Sequence, residues 1–344
     1  MPGLKEKTAV RERLAVRRAA ARQRMAERRE KMADAVRRQR EKRQTRELQR
    51  RVREAESPTL RVKIRRMRRL AGLVFCTFFA FGLWMCCWPV QLVAPRRMRP
   101  IRRSLVKLWG RMCLWTLNMK LKTYGRPPKP GYFMVLNHVG YVDIFVMAAQ
   151  TGAVFVAKAE MDTWPIFGWM MRNTHQIFIE RNNFRDAKRV LDLLGGVLDE
   201  DDALIVFAEG RCSPGAEVMP FRPSLFQIAA ERRYPVHYAS ITFETPEGDP
   251  APSDSIAWWR WEPLMDHMTR LLSLNSSKAT VYFSRDPVVS GCRKELARET
   301  YAGCVELFAP LRQGVLPELP TPDDAPKLYR EKRQSCVAPD ESGS

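Results

Sequence analysis

The sequence predicts an α/β domain with a mostly parallel sheet flanked by helices. Ahead of it stand a membrane-associated helical motif and a long basic, helical extension. Three observations lead there. Short apolar runs alternate with helix-like segments from residue 132 onward. Leu70 to Ala94 is 25 residues without a charge. The positive charge is confined to the front of the chain. Residues 1–57 hold 20 Lys+Arg against 9 Asp+Glu, and residues 58–103 hold 11 Lys+Arg and no acid. The remaining 241 residues hold 28 basic and 29 acidic side chains. The basicity therefore argues for an anionic partner at the N-terminus, not for a globular nucleic-acid-binding domain.

Residues 1–57 are rich in Arg, Ala, Glu and Gln, a composition that favours helix. Apolar positions are sparse and no heptad persists. A solvated, partly helical tail, an arm on anionic lipid headgroups and, less favoured, an RNA-binding arm are consistent with this pattern. Ser57-Pro58 ends the extension, because the residue before a proline is pushed out of the helical region.

Residues 58–123 form the membrane-embedded or interfacial motif. Leu70–Ala94 is long enough for a bilayer core of ~30 Å, and about 70 mostly polar residues ahead of it exclude a signal peptide. Residues 61–69 carry six Lys+Arg and residues 96–103 carry five. The positive-inside rule places both flanks on the cytoplasmic side. A single span cannot satisfy that; a hairpin bending near Gly82 or Trp88-Pro89 does, and a true span and a soluble core helix stand as the alternatives. Ile101 to Met119 is amphipathic, with Trp109 and Trp115 beside Arg103, Lys107 and Arg111, a pattern suited to the headgroup region or to a core-facing helix. Tyr124 to Gly131, with three prolines, links this motif to the domain over 124–312.

In that domain strands are expected at 132–136, 153–157, 176–180, 203–208, 236–243 and 279–284. Helices are expected at 144–150, 165–172, 184–198, 223–232, 262–273 and 291–308. The polar, Pro-rich tail over 313–344 reads as disordered. Eight cysteines show no CxxC spacing, which suits reduced thiols and gives no zinc ligand set.

The first strand leads into YFMVLNHVGYVD, residues 132–143. Asn137 and His138 end the strand, and Asp143 is placed at the N-cap of the following helix. A tight strand-to-helix turn can bring that carboxylate onto the imidazole Nδ1 and leave Nε2 as a general base.

Four ordered motifs resemble the glycerophospholipid acyltransferase family, the PlsC-like 1-acylglycerol-3-phosphate acyltransferases and their relatives. They are Asn137-His138-x4-Asp143; QIFIER with Phe178, Ile179 and Arg181; FAEGRCS from Phe207 to Ser213; and MPFRPSLF with Pro220, Phe221 and Arg222. The resemblance covers about residues 100–310. The sequence departs from the family wording in four places. Ala208 replaces a common Pro, Arg211 and Cys212 stand where Thr and Arg are common, and His175 stands where Gly is common. The wording of FAEGRCSPG also resembles the branch that includes lyso-ornithine lipid acyltransferases.

The resemblance implies transfer of a fatty acyl group from acyl-CoA or acyl-carrier protein to the free hydroxyl of 1-acylglycerol-3-phosphate, forming phosphatidic acid. It implies no cofactor and no metal. His138 takes the role of base and Asp143 holds its tautomer. Arg181 and Arg211 match an anionic headgroup by their guanidinium forks. Asn137, Glu209, Gly210, Lys158 and Arg222 complete the expected substrate contacts. Backbone N–H groups near Val139–Gly140 are candidates for the oxyanion. Cys212 has no neighbouring His in sequence, and no G-x-S-x-G elbow exists, so a covalent intermediate is not expected. Partners are membrane lipids, the acyl donor and a lysolipid, with no specific nucleic acid, at the cytoplasmic face of the membrane. Another lysolipid acceptor, and a catalytically silent membrane adaptor, are the alternatives.

Overall fold

Each of the six expected strands forms, within one or two residues, and a seventh joins them. The computed structural model describes residues 58–163, 167–179, 186–199, 202–260 and 262–312. The extension over 1–57, Arg181 and the tail over 313–344 lie outside the described residues.

The strands are β1 (Met119–Tyr124), β2 (Tyr132–Leu136), β3 (Val154–Lys158), β4 (Ile177–Ile179), β5 (Ala203–Phe207), β6 (Val236–Glu244) and β7 (Ser277–Phe283). They lie in the order β1-β7-β6-β2-β5-β3-β4. Five neighbouring pairs are parallel; only β6 and β7 run antiparallel, so β1 and β7 point against the other five. Every residue of β2 and β5 is buried, as expected for central strands covered on both faces. Alternation divides β2 between two cores. Tyr132, Met134 and Leu136 face one cluster; Phe133 and Val135 face the other.

The unexpected strand is β1. Met119 ends the amphipathic stretch and Tyr124 opens the linker in the sequence reading, which expects no strand between them, yet MKLKTY forms one after the helix. Asn118 separates them: it takes the left-handed conformation, φ 54°, and stops the preceding helix. The boundary expected at residues 123/124 therefore falls at the edge of the sheet, and the α/β domain begins near Met119.

Two helices precede the sheet, α1 (Leu60–Val93) and α2 (Pro95–Leu117). Among the described residues, α1 is the one helix long and apolar enough to cross a membrane. It runs on through Gly82 and Pro89; the chain reverses instead at Ala94, whose φ of −143° and ψ of 67° are non-helical. Pro95 then opens α2 at a position that needs no N–H. The two helices pack antiparallel. Trp109 Nε1 donates to Thr77 Oγ1 at 3.1 Å, and a side chain at Gly72 would strike Thr116.

Both basic flanks are fastened to the α/β domain. Arg65 and Arg69 donate to the carbonyls of Ser273, Leu274 and Asn275 at 2.5–3.1 Å, at the C-terminus of a helix whose free carbonyls favour cations. Arg102 and Arg103 pair with Asp202 at 2.7 and 3.2 Å. The remaining helices are α3 (Val142–Thr151), α4 (Phe167–Asn173), α5 (Asp186–Asp199), α6 (Gln227–Glu231), α7 (Pro252–Ser255), α8 (Leu264–Ser273) and α9 (Arg293–Arg312). The helix capped by Arg65 and Arg69 is α8. His175, after α4, has φ 61°, which accounts for glycine being common at this place in the family.

Candidate active site

The register places Leu136 of β2 beside Phe207 of β5. The segments that follow these two residues therefore leave the sheet side by side at its carboxyl edge, where open α/β sheets bind their ligands. One carries Asn137, His138 and Asp143; the other carries Glu209, Gly210, Arg211 and Cys212.

His138 Nδ1 lies 2.7 Å from Asp143 Oδ2. The carboxylate accepts, so Nδ1 carries the proton and Nε2 is left to act as a base. The same oxygen accepts the N–H groups of Val139 at 2.7 Å and Gly140 at 3.1 Å. Asp143 is fully buried. It lies inside the first turn of α3 and not at its N-cap, which is Tyr141. The aspartate holds the turn and the imidazole in one stroke. It also occupies the two N–H groups expected to serve the oxyanion, so those donors are excluded from that role.

Two further contacts fix the ring. Phe207 stacks on His138 with centroids 4.1 Å apart at 20°. Ser213 N–H donates to the His138 carbonyl at 2.8 Å, binding the loop after β5 to the turn after β2. That tie sets Cys212, the residue before Ser213, on the loop beside the His138 turn. Burial pulls the imidazole down most strongly, but Cys212 and Asp143 together outweigh it and push it up to about 10.

Asn137 is fully buried. Its Nδ2 donates to Ile241 O and its Oδ1 accepts Ile241 N–H, both at 2.9 Å. Both polar ends of this amide are engaged by β6. Asn137 therefore clamps β2 to β6, and this replaces the expected substrate contact. Glu209 is also buried; its Oε1 accepts Met219 N–H at 3.1 Å, and its Oε2 has no partner among the described residues. Burial pushes its carboxyl up to about 7, against the downward pull of that N–H. Gly210 has φ +69°, and a Cβ there would lie 2.5 Å from Arg222 Cδ. The Arg222 side chain thus lies against Gly210, although the residue is exposed. Arg211 is exposed on the same loop. Lys158 ends β3 at the carboxyl edge of the sheet.

The family model described as Acyltransferase matches residues 120–242, which hold this whole arrangement. A lyso-ornithine lipid O-acyltransferase of Rhodobacter capsulatus is 31% identical over 207 residues, 58% of this chain and 74% of that protein. The chain belongs to the PlsC-like lysophospholipid acyltransferase superfamily. A 1-acyl-sn-glycerol-3-phosphate acyltransferase of Neisseria meningitidis is 35% identical over 132 residues, 38% of this chain and about half (51%) of that protein. Among solved structures, PlsC of Thermotoga maritima covers 70% of this chain and 98% of its own, at 20% identity and a TM-score of 0.44.

This acyltransferase holds two site features that sequence reasoning missed. The Phe207 stack and the Cys212 neighbour both arise from the β2–β5 register, and nothing in local spacing reveals them. A third feature lies just behind the turn. Tyr141 Oη and His267 Nδ1 are 3.0 Å apart, and Trp258 N–H donates to Val139 O at 2.8 Å, backing the turn from the far side.

Proposed function

We propose that this acyltransferase moves a fatty acyl group from a thioester donor, acyl-CoA or acyl-carrier protein, to the free hydroxyl of a lysolipid. The observation that carries the reading is the His138–Asp143 pair at 2.7 Å on a buried, fully engaged carboxylate. His138 Nε2 removes the hydroxyl proton as oxygen attacks the thioester carbonyl. Asp143 holds the ring and balances the imidazolium that forms. Thioesters are already activated, so the protein mainly needs a base and a held geometry.

Lyso-ornithine lipid is the first acceptor we propose. The Rhodobacter relative that carries that name aligns over a wider span than the Neisseria 1-acyl-sn-glycerol-3-phosphate acyltransferase. 1-Acylglycerol-3-phosphate is the second reading, favoured by the higher identity of the Neisseria protein. Arg211 and Arg222 would meet the anionic headgroup from the loop after β5, and Arg181 would join them. The hairpin of α1 and α2 would rest in the cytoplasmic leaflet. Phe75, Phe78 and Phe79 are exposed on α1, and both basic flanks return to one domain.

The test is transfer of radiolabelled acyl-CoA by the full chain in detergent, with each lysolipid in a separate tube and His138→Ala beside it. Product with lyso-ornithine lipid, absent in the variant, supports the first acceptor. Product only with 1-acylglycerol-3-phosphate moves the assignment to the second. No product from either acceptor, with acyl-CoA or acyl-carrier protein, would remove the reading and leave a membrane adaptor.

A further inference from the structure

The catalytic turn is held from two sides. From within, Asp143 grips His138 and the N–H groups of Val139 and Gly140. From outside, a second set of contacts holds it that the mechanism leaves unused. Tyr141 lies in the turn, between His138 and Asp143. Its Oη is 3.0 Å from Nδ1 of His267, on α8. The rings of His267 and Trp258 meet the phenol edge-on, with centroids at 5.5 and 5.9 Å, which fixes its direction. Trp258 N–H donates to Val139 O at 2.8 Å, and a Cβ at Gly140 would lie 3.1 Å from the same nitrogen.

His267 suits the part of an anchor. It is fully buried. Burial first, then the neighbouring Arg270 and Arg260, pull its imidazole down to about 3, so the ring stays neutral at working pH. A neutral ring completes the bond to the phenol in either tautomer. The helix that carries it is itself held. Arg270 pairs with Glu262 at 2.5 Å and donates to Asp254 O at 2.7 Å. The carbonyls at the C-terminus of α8 accept Arg65 and Arg69 from α1.

We propose that Tyr141 and His267 are positioning residues, a clasp that passes the rigidity of α8 to the turn and so fixes His138 where its Nε2 meets the acceptor hydroxyl. Both act through the turn and not on the substrate. A base shifted by a fraction of an ångström keeps its chemistry but loses rate, because proton transfer tolerates little misplacement. Binding of the lysolipid does not depend on that alignment, so the loss falls on kcat and not on KM. The proposal rests on the acyl-transfer reading above.

The test measures transfer from palmitoyl-CoA by the full chain in detergent, at a temperature below the melting point of every variant. The acceptor is lyso-ornithine lipid or 1-acylglycerol-3-phosphate, whichever the wild type acylates. Tyr141→Phe removes the hydroxyl and keeps the ring. His267→Leu removes the partner, and His267→Asn returns an amide atom near the place of Nδ1. In Tyr141→Phe and His267→Leu, kcat should fall roughly 10- to 10²-fold with KM little changed. His267→Asn should recover most of that loss. The double variant Tyr141→Phe/His267→Leu should be no slower than the slower single one, because both changes cut the same bond. A structural role alone would lower the melting temperature and leave kcat unchanged, and that result in folded Tyr141→Phe overturns the proposal. Losses that multiply in the double variant overturn it too, as does a His267→Asn chain as slow as His267→Leu or a loss confined to KM. A wild type that acylates neither lysolipid removes the acyl-transfer reading, and this one with it.

Discussion

At the scale of single residues, the site depends on burial and charge pulling in opposite directions. His138 is held above its ordinary value near 6.5, at about 10, by Cys212 and Asp143 against the effect of burial. A folded value above the unfolded one means stabilisation that is complete below about pH 6.5 and lost as pH rises through about 10. The same shift governs activity, because a protonated imidazole is no base. In kcat/KM, the acid limb should therefore lie well above pH 6.5 and move down in Asp143→Asn, with the rate falling roughly 10²–10⁴-fold as the ring loses its orienting partner. A limb that stays near 6.5 in the wild type would refute the coupling. Glu209 behaves differently. Burial raises its carboxyl from 4.5 to about 7, so the folded state binds the extra proton between those values and stability falls as pH rises through them. Glu209→Gln keeps the partner of Met219 N–H but removes the charge. Thermal melts of that variant should vary less with pH between 4.5 and 7 than those of the wild type.

At the scale of elements, what was legible in the sequence was whatever burial writes into a short run. β2 and β5 are buried on both faces, and five consecutive apolar residues announce each of them. His138-x-x-x-x-Asp143 was legible because the pair lies within one turn. β1 was not, since its alternation of Met119, Leu121 and Thr123 with two lysines follows an amphipathic helix, separated only by Asn118. The nearness of the Cys212 loop to His138 was not legible either, because it follows from strand register across 73 intervening positions of chain. The pairing of Gly210 with Arg222 is of the same kind: the glycine of the third motif leaves room for the arginine of the fourth. Gly210→Ala should act twice, straining a backbone at φ +69° and pushing Arg222 aside. A loss of about 1–3 kcal/mol in denaturant unfolding is expected, with a rise in KM for the anionic acceptor larger than any change in kcat. Unchanged stability with unchanged KM would show that the loop relaxes freely.

At the scale of the whole molecule, the charge map and the fold bear on the same question. Two basic flanks surround an apolar stretch, and the positive-inside rule sets both on one side. Arg65 and Arg69 at one flank reach the carboxyl end of α8, while Arg102 and Arg103 at the other reach Asp202 before β5. A helix of 34 residues is ~50 Å long, ample to cross a bilayer core of ~30 Å. A crossing helix would have to leave one set of these contacts on the far side, and Arg102 is almost fully buried in its ion pair. Removing one partner from such a pair leaves an uncompensated charge, a cost of about 3–5 kcal/mol. The anchored hairpin avoids that cost. In it the exposed Phe75, Phe78 and Phe79 would enter the lipid, with the chain returning at Ala94. Single cysteines at Thr59 and at Arg99, in a chain whose exposed cysteines are replaced by serine, should therefore react with a membrane-impermeant maleimide from the same side of sealed vesicles. Labelling from opposite sides would mean that α1 crosses and that one arginine clamp opens in the membrane.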